Sequence, residues 1–242
     1  GKLGWAVGHD EVVVRTRDDG SGHNVVLIGG KVSGALDETL RVLRAVEPGS
    51  AATSGLAYLP SGLRASGNGI LSLDITLPPG GQPMQLLGEY RFMKNALRFA
   101  DAPVTAEAIE GRVAFTETGL GEGNLRARLL GGETVLVAAR REGELAIHGQ
   151  GAITAKGLAP LVGPKIAPQL SGSVDWSGTW RQGREGGSLQ AEAGLQGLKV
   201  ALPAPLDRPE GLAQEKLVLR TESARRDGMV LALNVGDRVN GK

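Results

Sequence analysis

The chain has 242 residues, a formal net charge of +1 and no cysteine. The near balance of 27 basic and 26 acidic side chains gives no support to a nucleic-acid partner, which would need a concentrated basic face. The absence of cysteine from the sequence excludes disulfides, thiolate nucleophiles and cysteine-ligated metals.

Glycine accounts for 38 residues, about twice the usual share, whereas aromatic residues make up only 3%. Glycines spread along the chain, with prolines at intervals, indicate many short strands and turns. Disorder is a poor interpretation, because 41% of the residues are hydrophobic and they occur in patterned runs. No stretch approaches the roughly 18 apolar residues of a membrane span. The first residue is glycine, so we expect the chain to be an internal piece of a longer protein.

The first elements are a hairpin and a helix. Asp18-Asp19-Gly20 predicts a turn between strands at Val12–Thr16 and Asn24–Ile28. Residues 35–46 then place Leu36, Leu40 and other apolar side chains at helical spacing, which predicts a short helix.

Strict alternation of apolar and polar residues follows. In the segment 70–77, Leu71, Leu73 and Ile75 alternate with polar residues, as in a strand with one buried and one wet face. The same pattern occurs at 112–116, 124–129, 144–148 and 189–195. Residues 154–169 predict a short, broken helix, because three prolines prevent a long one. A subdivision of the chain is predicted near 101–110. The fold class is therefore mostly β, either an extended antiparallel curved sheet with a groove or a sandwich-like structure, with one or two short helices.

Motifs for catalysis or metal binding are not found. The histidines His9, His23 and His148 form no metal-binding arrangement, and His148 is expected to be a solvent-facing strand residue. The glycine-rich segment 119–123 precedes an alternating strand rather than the helix that a phosphate loop requires. Trp176 and Trp180 would share one face of a strand, either in a core or as an apolar ligand wall. The sequence predicts no enzyme, no cofactor and no metal site.

Three stretches, read in order, resemble the YhdP family of AsmA-like bacterial envelope proteins. They begin at Gly34-Ala35-Leu36-Asp37-Glu38-Thr39-Leu40, at Gly88-Glu89-Tyr90-Arg91-Phe92-Met93-Lys94-Asn95 and at Leu170-Ser171-Gly172-Ser173-Val174-Asp175-Trp176. The second continues through Glu110-Gly111-Arg112-Val113-Ala114-Phe115 and the third ends at Ala201-Leu202-Pro203-Ala204-Pro205-Leu206. The resemblance covers most of the chain. It implies that residues 1–242 are an internal fragment of a longer AsmA-like periplasmic β-domain.

The resemblance implies a function. Such proteins are anchored in the inner membrane, cross the periplasm, and are thought to carry phospholipid towards the outer membrane in a hydrophobic β-groove. The partners of this chain would be phospholipid acyl chains and the rest of the longer protein. Contact with membranes would come only from parts of that protein outside these 242 residues.

The groove candidates are the inward residues of the alternating strands, although each residue taken alone also fits an ordinary core. They are Leu71, Leu73, Ile75, Val113, Phe115, Leu125, Leu129, Leu145 and Ile147. Two alternatives stay open: a β-rich envelope scaffold or interaction module with a closed core, and a carbohydrate-active β enzyme. The enzyme would need two carboxylates facing each other near an exposed indole.

Overall fold

The computed structural model describes residues 3–7, 10–18, 20, 22–45, 63–98, 104–183, 186–201, 216–224, 229–235 and 239–241. Within these residues, fifteen strands form one open sheet, and nearly every strand pairs with the strands before and after it in the chain. All the pairings are antiparallel. The exception to the simple order is the short strand β12, which pairs with β10 outside the main path.

The strands, in chain order, are β1 (Leu3–Val7), β2 (Asp10–Asp18), β3 (Asn24–Ala35), β4 (Arg64–Leu77), β5 (Gln85–Arg98), β6 (Thr105–Thr116), β7 (Gly119–Leu129), β8 (Gly132–Arg141), β9 (Glu144–Thr154), β10 (Leu170–Gln182), β11 (Gly186–Gly194), β12 (Leu198–Val200), β13 (Lys216–Ala224), β14 (Met229–Val235) and β15 (Val239–Gly241). Helix α1 spans Leu36–Ala45 and helix α2 spans Ala155–Val162. Two short 3-10 turns occupy Ala167–Gln169 and Leu195–Gly197.

The predicted fold class is confirmed, and the structure is the extended sheet rather than the sandwich. All described strands belong to one sheet, so in this part of the chain no second sheet packs against it. Helix α1 lies where a helix was predicted over 35–46, and α2 with the following 3-10 turn occupies the predicted broken helix at 154–169. Leu195 was predicted to lie in a strand. That prediction is wrong, because Leu195 begins a 3-10 turn.

The connection between β5 and β6 is where the sequence suggested a subdivision, near 101–110. Residues 101–103 lie outside the described residues, and β5 and β6 pair with each other within the sheet. The subdivision stays a prediction.

The strand register separates two faces, because residues directly opposite each other in antiparallel strands point to the same side. One row of paired residues crosses the eight strands β4 to β11 on one side: Leu71, Tyr90, Val113, Gly123, Ala138, Ile147, Trp180 and Leu189. We call the side that carries this row the groove face, and the other side the polar face.

The polar face carries the charged side chains and their cross-strand ion pairs. Arg112 Nη1 lies 3.4 Å from Glu89 Oε2, and Arg181 Nη1 lies 3.0 Å from Glu144 Oε1. Because these side chains are largely exposed, each pair contributes at most about 1 kcal/mol. His148 is exposed on this face, as the sequence predicted.

Three adjacent strands are interrupted at neighbouring positions. The register shifts at Gly67 in β4, at Lys94 in β5 and at Ala108 in β6, where φ is +92°, +58° and +50° respectively. Bulges of this kind bend a strand and increase its twist. Since the three interruptions lie side by side, they bend the sheet locally at this end of the strands.

Asn95 joins the interruptions in β4 and β5. Its side chain is fully buried, its Oδ1 accepts a hydrogen bond of 2.7 Å from the Met93 N–H, and its Nδ2 donates one of 3.3 Å to the Ser66 carbonyl. The amide thus pairs backbone groups that the bulges remove from the regular ladder.

Helix α1 packs on the groove face over the first of these strands. Leu36 is 3% exposed and forms a buried cluster with Leu71, Tyr90 and Phe115, with Leu40 packed against it. The core of the described chain therefore lies between α1 and the strands β4 to β6.

Candidate functional site

The apolar cluster under α1 opens into a cavity of about 190 Å³ on the groove face. Its walls come from α1 and from strands β5 to β9, and nearly all are apolar. The lining residues include Leu40, Phe92, Val113, Leu125, Leu136, Ala138 and Ile147. Beyond the helix, the residues of β7 to β9 in this lining are only half-buried, so the face continues from a covered part into an open one.

All nine candidate residues of the sequence analysis lie on the groove face. Val113, Phe115, Leu125 and Ile147 line the cavity itself. Leu71 belongs to the buried cluster under α1, and Leu73 packs against that cluster. Leu145 is 3% exposed, whereas Ile75 and Leu129 are half-buried. Their placement on one face leaves their role in binding a prediction.

Sequence reasoning missed several lining residues. Leu36 and Leu40 come from the helix, and nothing in a strand pattern indicates that a helix covers the groove. Leu136 and Ala138 lie in β8, where the run Val135-Leu136-Val137-Ala138-Ala139 is apolar on both faces and hides the alternation.

Three aromatic side chains of the groove face lie across glycines of the neighbouring strand: Tyr90 across Gly69, Phe115 across Gly88 and Trp176 across Gly149. A Cβ atom added at Gly149 would lie 2.8 Å from Cη2 of Trp176, and one at Gly69 or Gly88 would be closer still to the opposing ring. Because no side chain stands beneath these rings, they lie against the backbone. The glycines therefore set how far the aromatic side chains rise from the sheet.

Burial dominates the electrostatics of the covered part. Desolvation raises the pKa of the Tyr90 hydroxyl above its ordinary value of 10.0, and the neighbouring Asn95 side chain partly lowers it. Tyr90 thus stays neutral at physiological pH.

Charge is almost absent from the groove face. Following the alternation along β4 to β11, a single charged side chain falls on this side, that of Arg140. No carboxylate lies on it in these strands, so the described face lacks the paired acids that a glycosidase needs.

Trp176 and Trp180 both lie on the groove face, as their spacing predicted. Trp176 is opposite Gly151 and Ala193, and Trp180 is opposite Ile147. Both indoles are half-buried, and they extend the apolar surface from the cavity towards β11.

Among the residues that the structure describes, no group of three or more acidic or histidine side chains is placed to hold a metal ion. None of the described helices is both long and apolar enough to pass through a membrane.

A long antiparallel meander with one largely apolar, partly covered face that carries a single charged side chain defines a class of open-sheet β proteins. The chain belongs to the YhdP family, since the family model described as YhdP protein matches residues 7–242. Neither a curated protein nor a solved structure matches the chain.

Proposed function

We propose that this chain is a segment of a periplasm-spanning, bridge-like protein that shields phospholipid acyl chains during transport between the inner and outer membranes. The observation that supports this most strongly is the groove face of β4 to β11, which is apolar across eight strands and has one charged side chain. Membership of the YhdP family agrees with the proposal.

The dimensions of the face suit an acyl chain. Strands in a sheet lie about 4.8 Å apart, so the row from Leu71 in β4 to Leu189 in β11 extends over about 34 Å. The hydrocarbon core of a bilayer is about 30 Å thick, which gives each acyl chain about 15 Å. An acyl chain lying along the row would therefore be in contact with apolar side chains throughout its length.

The energetics suit transport rather than tight capture. Burying one methylene group contributes about 0.8 kcal/mol, and that contribution is similar in a bilayer and in an apolar groove. An acyl chain would therefore move from the membrane to the groove at little net cost in free energy. Movement from one part of the groove to the next would have no net cost. Such a path needs a continuous lining and no decisive ligand residue.

The contrasting hypothesis is an envelope scaffold or interaction module with a closed core. The cluster of Leu36, Leu71, Tyr90 and Phe115 favours it locally, because α1 covers the groove face there. The half-buried residues Leu125, Leu136 and Ile147 favour an open path beyond the helix.

The cellular setting is part of the same proposal. We place the segment in the periplasm of a Gram-negative bacterium, joined to the rest of a longer chain that is anchored in the inner membrane. Membrane contact would come from other parts of that chain, and the segment itself would perform no chemistry and bind no nucleic acid.

Site-specific photo-crosslinking in the full-length protein tests the function. A photo-reactive residue at Leu125, which is half-buried on the groove face, should become joined to phospholipid in living cells. The same residue at the adjacent Asn124, which is exposed on the polar face, is the matched control and should remain unlabelled. A photo-reactive residue at Leu73 or Phe115 would show whether lipid also reaches the part of the groove face that lies under α1. Equal labelling at Leu125 and Asn124, or none at Leu125, would contradict lipid shielding and favour the scaffold.

A further inference from the structure

Arg140 is an exception on the groove face. In β8 the inward residues are Gly132, Thr134, Leu136, Ala138 and Arg140, and the last of these is the one charged side chain that β4 to β11 place on this side. It is opposite the buried Leu145 of β9. A charge on an apolar face is costly, so its presence there calls for a partner.

The structure holds the guanidinium with neutral groups only. Arg140 Nε donates a hydrogen bond of 2.7 Å to the carbonyl of Leu120, and Nη1 donates one of 3.0 Å to the carbonyl of Gly143. Both acceptors are backbone carbonyls near the turns that join β6 to β7 and β8 to β9. Among the described residues, no carboxylate lies within ion-pair distance of Arg140, unlike Arg112 and Arg181 on the polar face.

This arrangement leaves donors free in a fixed direction. A guanidinium has five N–H donors, and two hydrogen bonds to carbonyls leave three of them. Arginine remains protonated at any physiological pH, and its planar fork matches the oxygens of a phosphate. Because the two carbonyls hold the group in place, little conformational entropy remains to be lost when an anion binds.

The position is at one end of the apolar lining. Ala138, the inward residue before Arg140, and Leu120, whose carbonyl it binds, both line the cavity. Because the Arg140 Nε lies 2.7 Å from the carbonyl of Leu120, the guanidinium lies beside the cavity wall. The side chain is half-buried, so part of it remains accessible to solvent.

We propose that Arg140 binds the phosphate diester of a phospholipid whose acyl chains lie on the adjacent apolar surface. This inference rests on the proposed function and adds a headgroup site to it. It gives the groove a preference for lipids that carry a phosphate over lipids of the same chain length that lack one.

A comparison of two short-chain lipids tests the site in the intact chain. Dioctanoyl phosphatidylglycerol and dioctanoylglycerol share their acyl chains and differ in the phosphate-linked headgroup. We expect the wild-type chain to bind the phospholipid about tenfold more tightly, as one charge-assisted, bidentate contact allows. Arg140→Gln should remove this preference and leave the affinity for dioctanoylglycerol unchanged.

Two variants control for structural effects. Arg141→Gln removes the neighbouring exposed arginine, which points to the polar face, and should retain the full preference. Arg140→Lys keeps the positive charge without the fork and should retain part of it. Thermal unfolding of each variant establishes that it is folded at the temperature of the binding assay.

The outcomes separate the two proposals. If the wild-type chain binds both lipids equally, or if Arg140→Gln keeps the preference, the headgroup site is overturned while the apolar groove stands. If neither lipid binds, the groove proposal fails and the headgroup site fails with it. If inorganic phosphate alone binds at Arg140 as tightly as the phospholipid does, the site recognises a free anion and the headgroup assignment is overturned.

Discussion

Replacing Gly88 with alanine tests whether glycine lets Phe115 lie against the backbone. The new Cβ would overlap Cζ and Cε2 of the Phe115 ring and would lie 2.8 Å from Cε1, whereas unstrained carbon atoms are about 3.5–4.0 Å apart. Phe115 is 3% exposed and packed among Leu36, Leu71 and Tyr90, so the ring cannot move without displacing its neighbours.

The expected loss of stability can be worked from these contacts. Overpacking of this kind costs about 1–3 kcal/mol, and alanine in place of glycine in a strand returns about 0.5–1 kcal/mol. The net loss is therefore about 1 kcal/mol, within a range of about 0 to 2.5 kcal/mol. For a chain of this length, a loss of about 1 kcal/mol lowers the thermal midpoint by about 2–4 °C.

Thermal unfolding of Gly88→Ala beside Gly34→Ala measures the effect. Gly34 lies in β3, and a Cβ there would meet no atom within 4 Å, so this control should keep or slightly gain stability. In the double variant Gly88→Ala/Phe115→Leu, the smaller side chain should restore at least 1 kcal/mol relative to the sum of the single changes. Equal midpoints for the two alanine variants, or strictly additive effects, would refute the explanation.

Three further changes probe buried polar groups. Asn95→Ala should lower stability by about 1–3 kcal/mol in denaturant unfolding, because the Met93 N–H loses its acceptor; a loss below about 0.5 kcal/mol would mean that the amide does not stabilise the bulges. Thr134→Val should leave stability unchanged or raise it by up to about 1 kcal/mol, since the buried Thr134 hydroxyl has no hydrogen-bond partner among the described residues; a clear loss in the same assay would contradict this. Because burial raises the pKa of Tyr90, its neutral form is favoured in the folded state, so stability should fall as pH rises past about 10; Tyr90→Phe should lose less over that range, and parallel pH profiles would argue against it.

Much of the fold could be predicted from alternation, because one-sided strands leave a clear pattern. The segment 70–77 predicted the inward face of β4 correctly, and Asp18-Asp19-Gly20 predicted the hairpin of β2 and β3. Strands without alternation were not predicted. Strand β8 is apolar at five consecutive positions, so its pairing with β7 and β9 is needed to show which side chains face inward.

The lack of alternation in β8 also prevented the sequence from predicting that Arg140 lies on the groove face. In the pair Arg140-Arg141, each arginine points to a different side, and the apolar run before them gives no sign of which one faces the groove. The register with Leu145 decides it. The covering of β4 to β6 by α1 was equally hidden, because it depends on how a helix folds back onto strands that follow it in the chain.

The meandering order of the sheet has a consequence for how such a protein acquires its length. Since strands pair almost entirely with their neighbours in the chain, adding one hairpin would extend the sheet by about 10 Å and leave its cross-section unchanged. Stability in such an array is close to a sum of neighbouring contacts, so it neither requires nor forbids a particular number of strands. The length of a protein of this design is therefore set by its number of strands, and evolution could adjust that length by duplicating or deleting hairpins.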